Sequence, residues 1–351
     1  MEFKVKVKVI AEKLETSNAK TIRFSPVDSH VMSFIPGQCC SLQVELEGKL
    51  HKRCYSFSSI PRANGTFDIT VKKVNGGMVS KHLVETNLVG QEFEVSQAFG
   101  EFNEEKLTSA KSIVFLAAGS GITPIYSMLK SLNANSTVSV TLLYYNRSRN
   151  DVIFYDQLKA FGRDQENVTV HLFSSEFPTC DMYHDKISPM SIKRLCPDIA
   201  TSSVSICGPS GFMDSAQRFV SRLGVNESCI HREFFTNLVL EDKSTTKDAQ
   251  DEKVEVQFLC AKKSVRASKG ALLLDVIKDN NIALRSECCI GSCGVCKIKL
   301  KKGSVKMNHI GGLNPVDENN NYILACCSKL TGNLTVDLDE SSGFTKGGVE
   351  S

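Results

Sequence analysis

The sequence of 351 residues contains no tryptophan, carries little net charge and has no long hydrophobic run. A formal net charge of +3 is far below the strongly basic charge that is typical of nucleic-acid-binding proteins, so we expect no nucleic-acid partner. The longest apolar stretch, around residues 112–118, is far too short to cross a bilayer, and the charged, alternating start lacks the apolar core of a signal peptide. The sequence therefore predicts a cytoplasmic protein without a membrane partner, and we expect it to be a monomer.

Histidine is also scarce, and its positions show neither the spacing of a metal site nor the arrangement of a catalytic triad. The seven histidines, among them His51, His82 and His309, are better explained as surface or hydrogen-bonding residues. Cysteine, in contrast, occurs 14 times. Because disulfides are rare in the cytoplasm, we expect these cysteines to be buried thiols or metal ligands, and their spacing has to distinguish the two.

Three parts of the chain differ in their pattern of hydrophobic residues, which predicts a multidomain protein. Residues 1–106 contain short alternating strands separated by turn signals, which is typical of an antiparallel β-barrel. Residues 107–236 alternate buried strands with helices, the pattern of an α/β domain with a doubly wound parallel sheet. A polar linker over 237–252 leads to a third domain over 253–340, and residues 341–351 form a tail.

Four cysteines in the third domain have the spacing of a [2Fe–2S] site. Cys288, Cys293 and Cys296 form C-x4-C-x2-C, and Cys326 follows from a later part of the domain. Three thiolates on one tight loop hold one side of a small cluster while the fourth completes it, which is the plant-type pattern. Zinc ribbons need two C-x2-C pairs, and this domain has one. We therefore predict that these four cysteines are the metal ligands.

Two further cysteines adjoin the predicted ligands. Cys289 follows Cys288, and Cys327 follows Cys326. A ligand at Cys289 breaks the spacing, so the interpretation keeps Cys288 and Cys326, with a structural zinc or a set of buried thiols as the alternatives. From residue 253 to about 339 the sequence resembles plant-type ferredoxin domains, which implies an α+β (β-grasp) fold.

Two short runs in the barrel have the residue types of a flavin site. Arg53 and Tyr55 lie two residues apart on a predicted strand and therefore share a face, and Ser56 follows them. Further along, two glycines open a helix whose N-terminal N–H groups can bind phosphate. The candidate binding residues of this second run are Gly77, Met78, Val79 and Ser80.

A turn in the α/β domain indicates a dinucleotide. Gly119, Gly121, Thr123 and Pro124 follow a buried strand and open a helix, where glycine permits close backbone approach and the helix terminus favours an anion. The turn has the form G-x-G-x-x-P, and the second strand ends without the acid of Rossmann folds, which argues against an ordinary dehydrogenase. Arg147 after that strand leaves open a contact with the 2′-phosphate of NADPH.

The end of the α/β domain supplies a second set of candidates. Cys207, Gly208 and Pro209 follow another buried strand, and Glu233 and Phe235 close the domain. A buried cysteine at a strand end and a core phenylalanine are the plain structural alternatives for these positions.

These runs resemble the ferredoxin-NADP reductase superfamily, which has an R-x-Y-S flavin signature, a G-G-x-x-S phosphate loop and a C-G-P nicotinamide loop. The resemblance implies that Arg53 holds the FAD pyrophosphate, that Tyr55 packs against the flavin and that Ser56 bonds to the flavin N5 region. It also implies that Thr123 lies close to the flavin ring and that Cys207 lies beside the nicotinamide C4.

The same resemblance implies that Phe235 covers the flavin and that Glu233 lies near the nicotinamide. Ser56, Cys207 and Glu233 are therefore the predicted catalytic residues. Hydride transfer needs stacking and exclusion of water rather than a general base, which agrees with the missing triad.

Together the motifs predict a flavin- and iron–sulfur-dependent NAD(P)H oxidoreductase. Its cofactors are FAD, a [2Fe–2S] cluster and NADH, with NADPH as the alternative, and its partner is a redox protein. Segments such as 98–102, 117–125 and 151–154 resemble the NADH oxidoreductases that reduce hybrid-cluster protein. The alternative is the reductase component of a Rieske-type or other multicomponent oxygenase, and a remote one is a non-catalytic, zinc-binding redox sensor.

Overall fold

The computed structural model divides the chain into two compact units, residues 1–235 and 236–351. The residues it describes are 4–28, 31–107, 110–132, 138–235, 252–286, 291, 294–309, 312–313 and 315–338. Most of the predicted linker and the whole predicted tail lie outside these ranges, and the predicted domain boundaries stay predictions.

The first sheet of unit 1 is antiparallel and has six strands in the order β4-β3-β6-β1-β2-β5. Its two outer strands meet through a bridge between Phe57 and Ile69, which closes the sheet into a barrel around buried side chains such as Phe24 and Phe67. The strands are β1 (Lys4–Thr16), β2 (Ala19–Pro26), β3 (Cys39–Leu46), β4 (Lys49–Ser56), β5 (Phe67–Lys72) and β6 (Glu92–Ser96), and helix α1 (Met78–Glu85) lies between β5 and β6.

The second sheet of unit 1 is parallel, with the order β10-β9-β8-β7-β11-β12. The chain enters the sheet at β7 and adds β8, β9 and β10 on one side. It then adds β11 and β12 on the other side, so the strand order reverses between β7 and β11. The strands are β7 (Ser112–Ala118), β8 (Ser139–Asn146), β9 (Val168–Ser174), β10 (Tyr183–His184), β11 (Ser203–Gly208) and β12 (Ile230–Phe234), and the helices are α2 (Ile122–Leu132), α3 (Tyr155–Asp164), α4 (Pro189–Leu195) and α5 (Ser210–Arg222).

Both faces of this parallel sheet are covered, as its apolar strands require. In β7, Ile113 and Phe115 belong to one core, whereas Val114 and Leu116 belong to the core on the opposite face. Neighbouring residues of a strand point to opposite faces, so one continuous apolar run supplies both cores. A strand that is covered on both faces therefore needs no alternation of polar and apolar residues, and β7 shows none.

The barrel and the parallel sheet of unit 1 are joined by a buried contact. The Ser127 hydroxyl in α2 accepts a hydrogen bond from the Gly37 amide at 2.8 Å and donates to the Pro124 carbonyl at 2.9 Å. Gly37 has φ +99°, and a β-carbon on it would lie 2.5 Å from the Phe102 carbonyl oxygen. Only glycine fits this position, because both the backbone conformation and the space exclude a side chain.

Unit 2 contains a mixed five-stranded sheet in the order β14-β13-β19-β15-β17 and a small two-stranded sheet, β16-β18. Leu273 and Ile277 of helix α6 are buried in the same core as Val256 and Phe258, so the sheet packs on the helix as in a β-grasp fold. The elements are β13 (Lys253–Phe258), β14 (Lys263–Ser268), α6 (Leu273–Asp279), β15 (Lys297–Lys302), β16 (Val305–Met307), α7 (Pro315–Asn319), β17 (Tyr322–Leu324), β18 (Ser328–Leu330) and β19 (Leu334–Asp337).

The predicted fold class is confirmed, and the differences concern single elements. The alternation of charged and apolar residues predicts a first strand over Lys4–Ile10, whereas β1 continues to Thr16, and no local pattern predicts β2 (Ala19–Pro26). Register shifts between Val9 and Ala11 and between Leu14 and Thr16 interrupt the alternation that a strand prediction relies on.

Candidate active site

Three residues predicted to be catalytic come from three different strands and lie together in the structure. Ser56 is the last residue of β4, and Cys207 lies near the end of β11. Glu233 is the register partner of Cys207 on the neighbouring strand β12. The Ser56 hydroxyl donates to the Glu233 carboxylate with an Oγ to Oε2 distance of 3.4 Å. This group of three residues therefore connects the end of a barrel strand with β11 and the edge strand β12 of the parallel sheet.

The group formed by Ser56, Cys207 and Glu233 carries no charge at physiological pH. Burial raises the pKa of Glu233 to about 8, against the opposing effect of the hydrogen bond from Ser56. Burial, and then the neighbouring Glu233 carboxylate, raise the pKa of the fully buried Cys207 thiol well above its ordinary value. At pH 7 the site therefore holds a carboxylic acid, a thiol and a hydroxyl. Such a site can share a proton with a bound ring system without placing a charge beside it.

Two glycine turns meet where the strand order of the parallel sheet reverses. A β-carbon on Gly121, after β7, would lie 2.2 Å from the carbonyl oxygen of Cys207, and one on Gly208 would lie 2.9 Å from the Ala118 β-carbon. Ligands of doubly wound sheets bind in the crevice at this point, beyond the carboxyl ends of the strands. Because Gly121 and Gly208 have no side chains, the two turns pack closely together and their backbones can line the bottom of a ligand site.

Helices α2 and α5 both begin at these turns. Neither has an acidic residue in its first turn, and Pro209, which precedes α5, offers no side-chain cap to it. Thr123 and Pro124 lie in the first turn of α2, where the buried Thr123 hydroxyl donates to the Ser120 carbonyl at 3.1 Å. Two helix N-termini beside two glycine turns fit the pyrophosphate of a dinucleotide.

The predicted flavin residues of β4 fit their proposed roles. Tyr55 is half-buried, and desolvation raises its pKa far above the ordinary value for tyrosine. Arg53 is exposed and donates to the Lys52 carbonyl at 2.8 Å, and among the described residues no carboxylate pairs with it. Its remaining guanidinium donors fit an anionic group.

The second flavin run is a helix start that lacks a side-chain cap. Gly77 precedes α1, and a β-carbon on it would lie 2.6 Å from the Ser80 Oγ. The Ser80 hydroxyl accepts from the Val74 amide and donates to the Gly77 carbonyl, both at 3.1 Å, so it shapes the turn from within. Val79 is buried in the barrel core, whereas 48% of Met78 is exposed. Among Gly77, Met78, Val79 and Ser80, the groups available to a ligand are therefore the backbone of the turn and the Met78 side chain.

Phe235 follows β12 directly and is 36% exposed, so it is available to cover a ligand beside Glu233.

In unit 2 the structure describes two of the four predicted cluster ligands, and it brings them together. The Cys326 amide lies 3.4 Å from the Cys296 Sγ and donates to it, and both residues are buried. An N–H directed at sulfur fits a thiolate ligand, because such hydrogen bonds stabilise its negative charge. Cys288 and Cys293, and also Cys289, lie outside the described residues.

The surroundings of the cysteine loop also fit a cluster. Gly291 and Gly294 have φ values of +74° and +73°, the left-handed region that glycine adopts without strain. Cys327, by contrast, directs its thiol toward the Leu324 carbonyl at 3.7 Å. This orientation favours Cys326 over Cys327 as the ligand.

Two charged residues of the site escaped the sequence analysis. Lys72 ends strand β5, and its Nζ lies 3.6 Å from the Asp151 carboxylate, which follows β8. A β-carbon on Gly119 would lie 4.0 Å from the same Nζ, so Lys72 lies beside the dinucleotide turn. No local pattern marks either residue, because the two elements are far apart in sequence and meet only in the folded unit.

Family models cover most of the chain in the order that the motifs predict. An oxidoreductase FAD-binding domain matches residues 6–103, and an oxidoreductase NAD-binding domain matches residues 115–218. A 2Fe-2S iron-sulfur cluster binding domain matches residues 256–331. The ferredoxin reductase component of 3-ketosteroid-9-alpha-monooxygenase from Mycobacterium tuberculosis is 31% identical over 332 residues, which are 90% of each chain.

The chain belongs to the ferredoxin-NADP reductase superfamily, in the group fused to a C-terminal [2Fe–2S] ferredoxin domain. It is an oxidoreductase that uses FAD, NAD(P)H and a [2Fe–2S] cluster, as predicted. The glycine betaine monooxygenase reductase subunit of Pseudomonas aeruginosa is 29% identical over 346 residues, 94% of this chain and 93% of that one.

Solved structures share the fold. Phthalate dioxygenase reductase, described as a modular structure for electron transfer from pyridine nucleotides to [2Fe–2S], covers 95% of this chain and 98% of its own, with a TM-score of 0.62 and 22% identity. Within the described residues, every helix is too short or too polar to span a membrane.

Proposed function

We propose that this chain is the NADH-dependent reductase component of a multicomponent oxygenase. The observation that carries the proposal is the match over at least nine-tenths of the chain to two proteins named as monooxygenase reductase components. These relatives support the oxygenase alternative better than the hybrid-cluster protein that the softer sequence motifs favoured. The electron acceptor is then an oxygenase component.

The three domains match the change in electron number along the path. Nicotinamide delivers two electrons as a hydride, a [2Fe–2S] cluster takes one at a time, and a bound flavin exchanges either number. The chain's own part is to hold these groups in order, since positioning and exclusion of water are what hydride transfer requires.

Each part of unit 1 has a defined task in this proposal. Arg53 and the uncapped start of α1 hold the FAD pyrophosphate, and Tyr55 packs against the flavin. The turns of Gly121 and Gly208 admit the nicotinamide dinucleotide to the crevice.

Ser56 and Glu233 form the polar wall beside the reacting rings. The Ser56 hydroxyl donates to Glu233, and the protonated Glu233 carboxyl would offer a hydrogen-bond donor to the bound rings. The buried Cys207 thiol would supply a small, uncharged surface for the nicotinamide. Such a wall would place no fixed charge beside the bound rings.

In unit 2, we propose that Cys296 and Cys326 ligate the cluster together with Cys288 and Cys293. We also propose that the protein is a cytoplasmic monomer, since a reducing compartment keeps cysteines available as thiols and cluster ligands rather than as disulfides.

The test compares the purified holoprotein with Cys293→Ser, using the exposed Cys180→Ser as the matched control. We expect Cys293→Ser to keep reduction of its flavin by NADH but to lose reduction of cytochrome c, whereas Cys180→Ser keeps both. Cytochrome c reduction that survives loss of the cluster would refute the electron path, and a colourless, zinc-containing protein would support the redox-sensor alternative.

The partner is tested with purified acceptors. We expect NADH-dependent turnover when the protein is combined with a Rieske-type oxygenase component. Faster reduction of a hybrid-cluster protein than of any oxygenase component would contradict the proposal.

A further inference from the structure

Positive charge is concentrated around the two described cysteines of the cluster site. Residues 296–330 run from Cys296 through Cys326 to the end of β18, and they contain six lysines, no arginine and two acidic residues. This segment therefore carries a net charge of +4, whereas the whole chain carries +3. The rest of the chain is close to neutral, so the positive charge of the protein lies beside the proposed cluster ligands.

Both acidic residues of this segment are already engaged. They follow one another in the short helix α7, where the Asp317 carboxylate lies 3.2 Å from the Lys297 Nζ. The Glu318 carboxylate lies 2.7 Å from the Nε2 of His309, which comes shortly after β16. Helix α7 thus connects the start of β15 with the end of β16, and the segment has no third acid to offer its other lysines.

Two of these lysines are placed opposite each other at a cost in stability. Lys306 and Lys329 are exposed register partners on the antiparallel strands β16 and β18, where like charges repel. Among the described residues no carboxylate pairs with either lysine. Strand β18 begins two residues after Cys326, and the Asn308 amide next to β16 donates to the Cys327 carbonyl at 3.3 Å. Carboxylates of a partner protein would relieve this repulsion next to a cluster ligand.

The same part of unit 2 exposes apolar groups among its lysines. Val316, in α7, is 67% exposed. Tyr322, on the edge strand β17, is half-buried, and the ammonium groups of Lys297 and Lys299 lie 5.3 and 4.6 Å from the centroid of its ring. Ile298, between these two lysines, is buried in the core, so both lysines belong to the outer face of β15. Apolar groups with a charged surround have the arrangement of a protein-binding surface.

We propose that this basic surface docks an acidic face of the electron-accepting protein beside the cluster ligands. It consists of Lys297, Lys299, Lys306 and Lys329 with Val316 and Tyr322. The inference rests on the proposed function in one respect, that the cluster passes its electrons to a separate protein. Carboxylates of that protein pair with Lys306 and Lys329 and speed its encounter with unit 2 at low salt, whereas an acceptor with a basic face is repelled.

The test compares two small haem proteins of opposite charge as acceptors, acidic cytochrome b5 and basic cytochrome c. Stopped-flow absorption gives the second-order rate constant for reduction of each by the NADH-reduced holoprotein. The Debye length shrinks from about 30 Å at about 0.01 M salt to about 3 Å at about 1 M, which removes steering by charge. We expect the rate constant for cytochrome b5 to fall at least about tenfold over this range, and that for cytochrome c not to fall.

A double variant assigns this salt dependence to the proposed surface. Lys306→Gln combined with Lys329→Gln removes two charges and also their repulsion, so it should not weaken the fold. At about 0.01 M salt it should reduce cytochrome b5 about three- to tenfold more slowly than the unmodified protein and cytochrome c faster. Lys263→Gln is the matched control, because Lys263 is an exposed lysine on β14, the opposite edge strand of the five-stranded sheet. It should leave both rate constants unchanged.

Two results would overturn the proposal: a cytochrome b5 rate constant that changes less than about twofold with salt, or a double variant as fast as the unmodified protein at about 0.01 M salt. The first result needs no variant. Salt-dependent reduction of cytochrome b5 without electron transfer to any oxygenase component would refute the proposed function and leave this inference intact. Transfer to an oxygenase component at a rate independent of salt would refute this inference and leave the proposed function intact.

Discussion

The side chain of Glu233 shows how one buried residue sets the character of the site. It comes from a half-buried strand, its carboxyl accepts a hydrogen bond from Ser56, and its register partner is Cys207. Neither of these residues is charged at neutral pH. Burial raises the pKa of its carboxyl to about 8, and the hydrogen bond from Ser56 opposes this rise only in part.

This shift predicts a pH dependence of stability. The pKa of Glu233 is about 8 in the folded protein and 4.5 as an ordinary glutamate, so between these values the folded state keeps a proton that the unfolded state releases. The free energy of unfolding should therefore fall as the pH rises from about 4.5 to about 8, then level off. Urea denaturation of Glu233→Gln should show this dependence removed, with the variant gaining most on the unmodified protein at pH 8 and above.

Glu166→Gln, at an exposed glutamate of the same unit, serves as the control and should run parallel to the unmodified protein. Equal pH profiles for Glu233→Gln and the unmodified protein would show that the carboxyl is ionised in the folded state.

At the scale of elements, strands whose side chains alternate between polar and apolar were predictable, and strands with an inward-facing charge were not. Lys20 in β2 is only 5% exposed, because its ammonium donates to the Thr86 carbonyl at 2.7 Å and pairs with Glu12 at 3.3 Å. A lysine at a core position hides the period of two. The glycine turns and the cysteine spacing were found because each is a local pattern, whereas Lys72 meets Asp151 only through the fold.

The two-stranded sheet β16-β18 carries an unfavourable charge pair. Lys306 of β16 and Lys329 of β18 are exposed register partners, and like charges directly opposite on antiparallel strands are destabilising. Lys329→Glu should raise the unfolding free energy of unit 2 by roughly 0.2–1 kcal/mol, the range of opposite-charge pairs across strands. Thermal melting followed by the cluster absorption measures this gain.

The matched control is Lys302→Glu, because Lys302 is an exposed lysine of β15 that faces Thr335 across the sheet. A gain of the same size in both variants would trace the effect to net charge rather than to the Lys306–Lys329 pair.

The whole molecule consists of two units that each have their own cores. The cores of the barrel and the parallel sheet draw their described residues from positions up to 234, and the core of the ferredoxin unit draws its residues from positions 254–338. Every sheet of the described residues also lies within one unit. Units with separate cores fold separately as a rule.

Residues 1–235 expressed alone should therefore fold, bind FAD and reduce ferricyanide with NADH at a rate within about threefold of the full chain, while reduction of cytochrome c is lost. Stopped-flow flavin reduction and steady-state assays with both acceptors test this. Cytochrome c reduction at the full rate by the shortened chain would show that the cluster is not on the path.

The buried Ser127 contact between the barrel and α2 has a consequence for how accurately bound ligands are positioned. Its hydroxyl accepts a hydrogen bond from the Gly37 amide of the barrel and donates one to the Pro124 carbonyl at the start of α2, so it fixes the spacing of the two sheets of unit 1 at this point. Errors of about 1 Å in the placement of reacting atoms can cost two orders of magnitude in rate. Ser127 therefore contributes to the alignment of ligands held by the two sheets, although it is not itself one of the predicted site residues.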